Sequence, residues 1–409
     1  MLVYIVFLYF VGLFIYGLLN KIWGVGLYLI GVYAFSAFCS IWLLKHDVFL
    51  YNPTFLPSIV YLCFLTICFV PFFRKKPIIH GFKDLKAEKR FLQIGYIVGT
   101  LFLLMEIATL PQVQFAFDYG VGDLRSDLGR GETEFKGGLI SSLLSTALYW
   151  LGNLSYPILT MFFYSLCFMK GRLTFKLMLL IASLGHIIMG LVIGGRTNVF
   201  YWVMYFGLCL AIFNPYLTIK KKQYVYSISI PIFILLCFYI STVTIGRFAD
   251  TQEGAGYSLW LYAGQSYINW CDWFDNVHWH PFSFNRLFPL TSFFFDGSFD
   301  LTQYRYLIHQ NTGMSMTIFY TFMGDIFVDI GLLGLTIYIF LYQFISRRVL
   351  NGYSFDLTVL LYLCIVTIIP LHGLFFYSLW KPQTTFCILL TVLIAKYLRR
   401  IPKVKKIEY

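Results

Sequence analysis

Among the residues of this chain that could do chemistry, the arginines come first. The segment Ile193-Gly194-Gly195-Arg196-Thr197-Asn198 separates two hydrophobic runs. Its glycines loosen the chain, Thr197 or Asn198 can cap the next helix, and Arg196 falls where backbone N–H groups point outward. That is a ready anion site, and a guanidinium there at membrane depth is what binding a lipid pyrophosphate requires. The plainer reading is an arginine that snorkels to lipid head groups. Arg247, in Ile245-Gly246-Arg247, repeats the arrangement, and Arg125, Arg130, Arg286 and Arg305 complete a sparse set. Arg196 and Arg286 are each followed eleven positions later by a glycine, Gly207 and Gly297, a spacing that chance also supplies in a chain with 32 glycines.

The second group is aromatic and polar together. Ten aromatic residues lie between Tyr257 and Phe284, including Trp260, Trp270, Trp273 and Trp279, mixed with Asn269, Asp272, Asp275, Asn276, His278 and His280. Aromatic faces beside short hydrogen-bonding side chains suit sugar rings, which stack through their C–H faces and hydrogen-bond through hydroxyls. An interfacial aromatic belt would look the same. Asp325 and Asp329, in Gly324-Asp325-Ile-Phe-Val-Asp329, are spaced i, i+4 and share a helix face. At a membrane helix end, one of them is either a general base, a partner for an outer arginine, or a cap that complements the helix dipole. Glu106, His186 and His372 are lone titratable groups near helix ends.

These residues must be held by membrane helices. Hydrophobic residues make up 59% of the chain and charged ones 12%, with mean hydropathy +0.73, a balance no soluble domain of this size shows. Since roughly 20 apolar residues cross the hydrocarbon, eleven spans are expected, near residues 2–19, 22–44, 55–73, 91–110, 138–168, 177–194, 197–214, 225–245, 322–345, 356–377 and 382–398. The first has neither a basic n-region nor a small-residue cleavage site, so it reads as a retained helix with the N-terminus outside. With the C-terminus inside, 22 of the 31 basic residues fall on the inner side and only four of the 19 acids do, as the positive-inside rule requires. The formal charge of +12 is thus a topology signal and calls for no nucleic-acid partner. The expected fold is all-α integral membrane, a single polytopic domain over residues 1–409. Outer loops are expected at 111–137 and 246–320, the larger one containing short helices.

Eight of the nine cysteines fall within these runs, with Cys271 in the large loop, which excludes a disulfide scaffold and a CxxC metal site. No HExxH, Walker or GxGxxG motif is present, and the inner loops are too short for a nucleotide-driven domain.

The eleven-span pattern, the Gly-Gly-Arg-Thr turn opening a hydrophobic helix, the large outer loop, and the run from Gly324 through Asp329 and Gly331 to Gly334 together resemble the Wzy-type oligosaccharide repeat unit polymerases of O-antigen, capsule and exopolysaccharide assembly. The resemblance implies a GT-C-like glycosyltransferase of the bacterial inner membrane, with its active site facing the periplasm. Such an enzyme transfers the growing glycan from undecaprenyl pyrophosphate to the non-reducing end of the next lipid-linked repeat unit. The resemblance further implies catalysis without a metal or cofactor, and a polysaccharide chain-length regulator as partner. Arg196 would match the family's arginine at the start of a mid-chain helix, and Arg247 and Arg286 its outer-loop arginines. The paired Arg-x10-Gly elements of some members sit in outer loops, whereas here one starts in the short Gly195-Arg196 turn.

On this expectation Arg196, Arg247, Arg286 and Arg305 clamp the donor pyrophosphate, Trp270 and Trp273 hold sugars, and Asp325, Asp272 or His278 takes the acceptor proton. An O-antigen ligase is the nearest alternative. A lipid-linked oligosaccharide flippase would carry charge deep in several helices, and a membrane O-acyltransferase would need a buried histidine such as His186.

Overall fold

A computed structural model describes residues 1–49, 51–119, 139–248, 254–283, 287, 301–315 and 318–399. The chain runs through α1 (Leu2–Leu19), α2 (Gly24–Lys45), α3 (Phe55–Phe69), α4 (Leu85–Tyr119), α5 (Leu139–Leu151), α6 (Ser155–Phe168), α7 (Leu173–Ala182) and α8 (Gly185–Val192). It continues through α9 (Thr197–Phe213), α10 (Ile219–Phe248), α11 (Gly254–Asn276), α12 (Leu301–Thr312), α13 (Thr321–Val349), α14 (Leu357–His372) and α15 (Pro382–Arg399). Among the described residues, nine helical segments are long and apolar enough to cross a membrane. The last two expected spans form α14, which is apolar but short, and α15. The protein is therefore a multi-pass, all-α membrane protein.

Two stretches expected as outer loops contain long helical segments among the described residues. Residues 111–119 continue α4 through Pro111, and the rest of the 111–137 loop lies outside the described residues. Within 246–320, α11 is a 23-residue helix packed into the bundle. Its mixture of tryptophans with Asn and Asp lowers its hydropathy and hides it from a search for apolar runs. The packing itself uses small residues, as membrane helix pairs do. Ser36 Oγ donates to the Ala263 carbonyl and Ser40 Oγ to that of Gly264, both at 2.6 Å. A Cβ on Gly264 would stand 2.6 Å from the backbone carbon of Cys39, so only glycine admits the approach.

The ends of the helices sort by charge. At one end, the Arg74 guanidinium donates to the carbonyls of Leu350 and Gly352, and Trp23 N–H donates to the Arg74 carbonyl at 2.8 Å. Two short parallel strands, β1 (Ile78–Ile79) and β2 (Ser354–Phe355), pair beside them. Lys176 and Lys221 donate to the carbonyls of Met169 and Cys167 at 2.9 and 3.1 Å, closing the C-terminus of α6 where cations are favoured. This basic end gathers the segments expected to share the inner side.

The opposite, aromatic end is built on α13 and the turn after α14. Thr321 N–H donates to the Phe375 carbonyl and Phe322 N–H to that of Gly373, at 3.1 and 2.9 Å. Within α13, Gly331 has φ 70° and ψ −176°, a conformation open only to glycine, and it divides the helix in two. His280 packs on this break, donating from Nδ1 to the Val328 carbonyl at 3.2 Å.

Candidate functional site

Arg196 is placed by a helix-to-helix turn. Gly194, with φ +60°, ends α8 in a left-handed residue. Gly195 N–H then donates to the Gly190 carbonyl at 2.7 Å and Gly194 N–H to that of Leu191 at 3.2 Å. That double closure uses the helix's last carbonyls and reverses the chain. Arg196 follows as the N-cap residue of α9 and is only 2% exposed. Its guanidinium carbon lies 4.7 Å from the centre of the Tyr262 ring on α11, a cation–π contact worth about 2 kcal/mol when desolvated. Thr197 Oγ1 lies 3.3 Å from the Tyr262 hydroxyl.

Tyr262 also lines an apolar groove of about 920 Å³ between α2, α9 and α11. Gly24, Tyr28, Gly31 and Phe35 form a stripe along one face of α2, and Met204 and Tyr262 face it. From Gly24 at the basic end to Cys39 the stripe is about 22 Å long at 1.5 Å per residue, most of a hydrocarbon layer roughly 30 Å thick. Its far end is Tyr262 and Phe375, so the groove stops at the ring that carries Arg196.

A ring cluster continues from there. Phe375 lies 6.2 Å from Tyr262 and 5.7 Å from Tyr201, and Tyr201 stacks on His372 at 3.7 Å and 13°. Tyr156 meets His372 edge-on at 5.2 Å and lies 5.4 Å from His186. His372 Nδ1 is 3.0 Å from Ser378 Oγ. The Nε2 atoms of His186 and His372 and the hydroxyls of Tyr156 and Tyr201 are sealed from solvent with no hydrogen bond to a described residue. Most buried polar groups in proteins are hydrogen-bonded, and each exception calls for an explanation, such as stored strain, a bound water or ion, or a chemical role. Lys381, at the start of α15, stands within electrostatic reach of both histidines.

The expected residues separate into distinct groups. Asp325 is 1% exposed and accepts from Tyr377 N–H at 2.6 Å, so its carboxylate holds the turn that carries Phe375 and Ser378. Asp329 is likewise buried and accepts from the Tyr304 hydroxyl. Trp270 and Trp273 offer no free face: both are fully buried, Trp270 donating to the Pro57 carbonyl at 3.0 Å and Trp273 stacking on Tyr320 at 4.0 Å. Asp272 is half-buried and accepts from Asn276 Nδ2 at 2.7 Å. Burial holds its carboxyl above the usual range, with the Asn276 bond lowering it and nearby Asp275 raising it. His278 is exposed just past α11, and Arg305 is exposed on α12. Arg247 lies in the last turn of α10, while Arg286, Arg125 and Arg130 lie outside the described residues. Among the described residues, no cluster of three or more His, Cys, Asp or Glu side chains could hold a metal.

Sequence reasoning missed Tyr262, Tyr201 and Lys381, and treated His186 and His372 as unrelated. A lysine on the side expected to be outer, against the positive-inside bias, was the available signal for Lys381. No family model, curated protein or solved structure matches this chain.

Proposed function

We propose that the protein is a polymerase of polyprenyl-pyrophosphate-linked oligosaccharide repeat units, working at the aromatic end of the bundle, which the positive-inside bias assigns to the non-cytoplasmic side of a bacterial inner membrane. The observation that carries this reading is the apolar groove that ends on Tyr262, whose ring carries the buried Arg196. A guanidinium held on the aromatic ring that closes a membrane-deep apolar groove is where the charged head of an isoprenoid diphosphate would meet its tail.

In the reaction, the bond between the donor glycan's anomeric carbon and the phosphate oxygen breaks as a hydroxyl of the acceptor unit forms the new glycosidic bond. Arg196 stabilises the charge on the departing pyrophosphate. The hydroxyl proton passes to a base. Asp325 is occupied by Tyr377 N–H, which leaves Asp272 and His278 as the expected groups accessible enough to receive it. Burial raises the Asp272 carboxyl, which makes it a stronger base than an ordinary carboxylate.

The test is the surface glycan of a deletion strain complemented with wild type, Arg196→Ala or Arg196→Lys at equal protein levels. The reading expects the deletion to lose long chains while a single repeat unit stays on its acceptor. It expects the alanine variant to behave like the deletion and the lysine variant to recover only in part. Long polymer held on the lipid carrier with none on the acceptor would make the protein a ligase, and an unchanged profile would return it to the transporters. Full chain length with Arg196→Ala would remove the arginine from the chemistry.

A further inference from the structure

We propose that the basic end carries a second, separate site, which takes the phosphate headgroup of an anionic phospholipid from the adjoining leaflet. The site is a cavity of about 590 Å³ between the N-termini of α4 and α14 and the C-terminal ends of α13 and α15. Lys83 reaches it from the loop before α4, and Arg90, Arg348 and Arg399 from α4, α13 and α15. Its two carboxylates are turned to their own helices: Asp84 accepts from Ala87 N–H at 2.6 Å and Asp356 from Val359 N–H at 3.0 Å. Cations therefore outnumber acids around the cavity, and Arg90 is anchored there by its Nε, which donates to the Lys86 carbonyl at 3.4 Å.

The wall between these charges is apolar. Phe91, Tyr362 and Leu398 line it, from α4, α14 and α15. A phosphate ligand with no tail would have no use for that wall, whereas a phospholipid sets its phosphate on the cations and the first methylenes of its chains on the rings. Basic pockets between membrane helices on the positive side are suited to such headgroups, each cation contributing a modest and additive attraction. Arg74 does not line this cavity; its guanidinium donates to the carbonyls of Leu350 and Gly352. The site lies at the opposite end of the bundle from Arg196 and does not depend on the polymerase reading.

The experiment is native mass spectrometry of the full-length protein in detergent, titrated with cardiolipin, phosphatidylethanolamine or inorganic pyrophosphate. Cardiolipin is expected to be retained at least about tenfold better than the zwitterionic lipid, and about tenfold less well by Arg90→Gln/Arg348→Gln/Arg399→Gln. Arg348→Gln alone, a change at an exposed side chain, is expected to show part of that loss without disturbing the fold. Lys220→Gln/Lys222→Gln, basic residues away from the cavity, should leave retention unchanged. Equal loss in the control pair, or no loss in the cavity variants, overturns the site. Displacement of cardiolipin by pyrophosphate at comparable concentration overturns the lipid assignment in favour of a soluble phosphate.

Discussion

Asp272 is the residue whose surroundings most directly set a measurable property. Its carboxyl is raised chiefly by burial, so the folded state holds the proton more tightly than the unfolded chain does. Stability therefore falls as pH rises from about 4, the ordinary carboxylate value, through the raised value, and levels off above it. Melting of the purified protein in detergent across that window should show this slope, and Asp272→Asn should flatten it. An identical slope in the variant would mean that the carboxyl is as well solvated folded as unfolded. The residues also mark what a sequence can and cannot reveal. The helix start at Arg196 was legible because a Gly-Gly-Arg turn opening a hydrophobic run is a local signal. The burial of Trp270, Trp273 and Asp325 was not, because it depends on Pro57, Tyr320 and Tyr377, partners up to 213 positions away. A polar residue among aromatics reads as a ligand-binding surface until its partners are known.

At the scale of elements, the eleven apolar runs were visible because length and hydropathy suffice to find them, and each contains helix among the described residues. Two features escaped. One is α11, whose polar residues lower its hydropathy although Gly264 and its neighbours pack tightly on α2. The other is the break in α13, where the Gly331-Leu-Leu-Gly334 run gave no hint of which glycine bends the chain. Gly331 adopts a backbone conformation that side chains cost about 1–3 kcal/mol to enter. A Cβ there would also stand 3.3 Å from the His280 ring, tight enough to push it away from Val328. Gly331→Ala is accordingly expected to lower stability by at least that amount, read as a drop in melting temperature, and to loosen the segment after α11. Gly12→Ala, where a Cβ meets nothing within 4 Å, is the matched control. If both variants melt alike, the break in α13 is not strained.

For the whole molecule, the question is which end faces which compartment, and the sequence answers it only through charge. The structure groups the basic segments at one end through direct bonds: Arg74 to residues 350 and 352, Lys221 to the end of α6, and β1 to β2. Arg196, Tyr262, Asp325 and the turn after α14 lie together at the other. Grouping is independent of the membrane, and charge bias then assigns the basic end to the cytoplasm. Single cysteines test the assignment in intact cells. All nine native cysteines lie within helices, so a membrane-impermeant maleimide has little background to overcome. Gln310→Cys, on the exposed face of α12, is expected to label from outside. Lys86→Cys and Lys220→Cys, exposed at the basic end, should label only after the membrane is opened. The reverse pattern would turn the protein over and place Arg196 on the cytoplasmic side, where transfer between periplasmic lipid-linked glycans could not take place. Labelling of both groups from one side would contradict the bundle's division into two ends, because α13 and α10 would then have to leave and re-enter on the same face despite lengths of 29 and 30 residues.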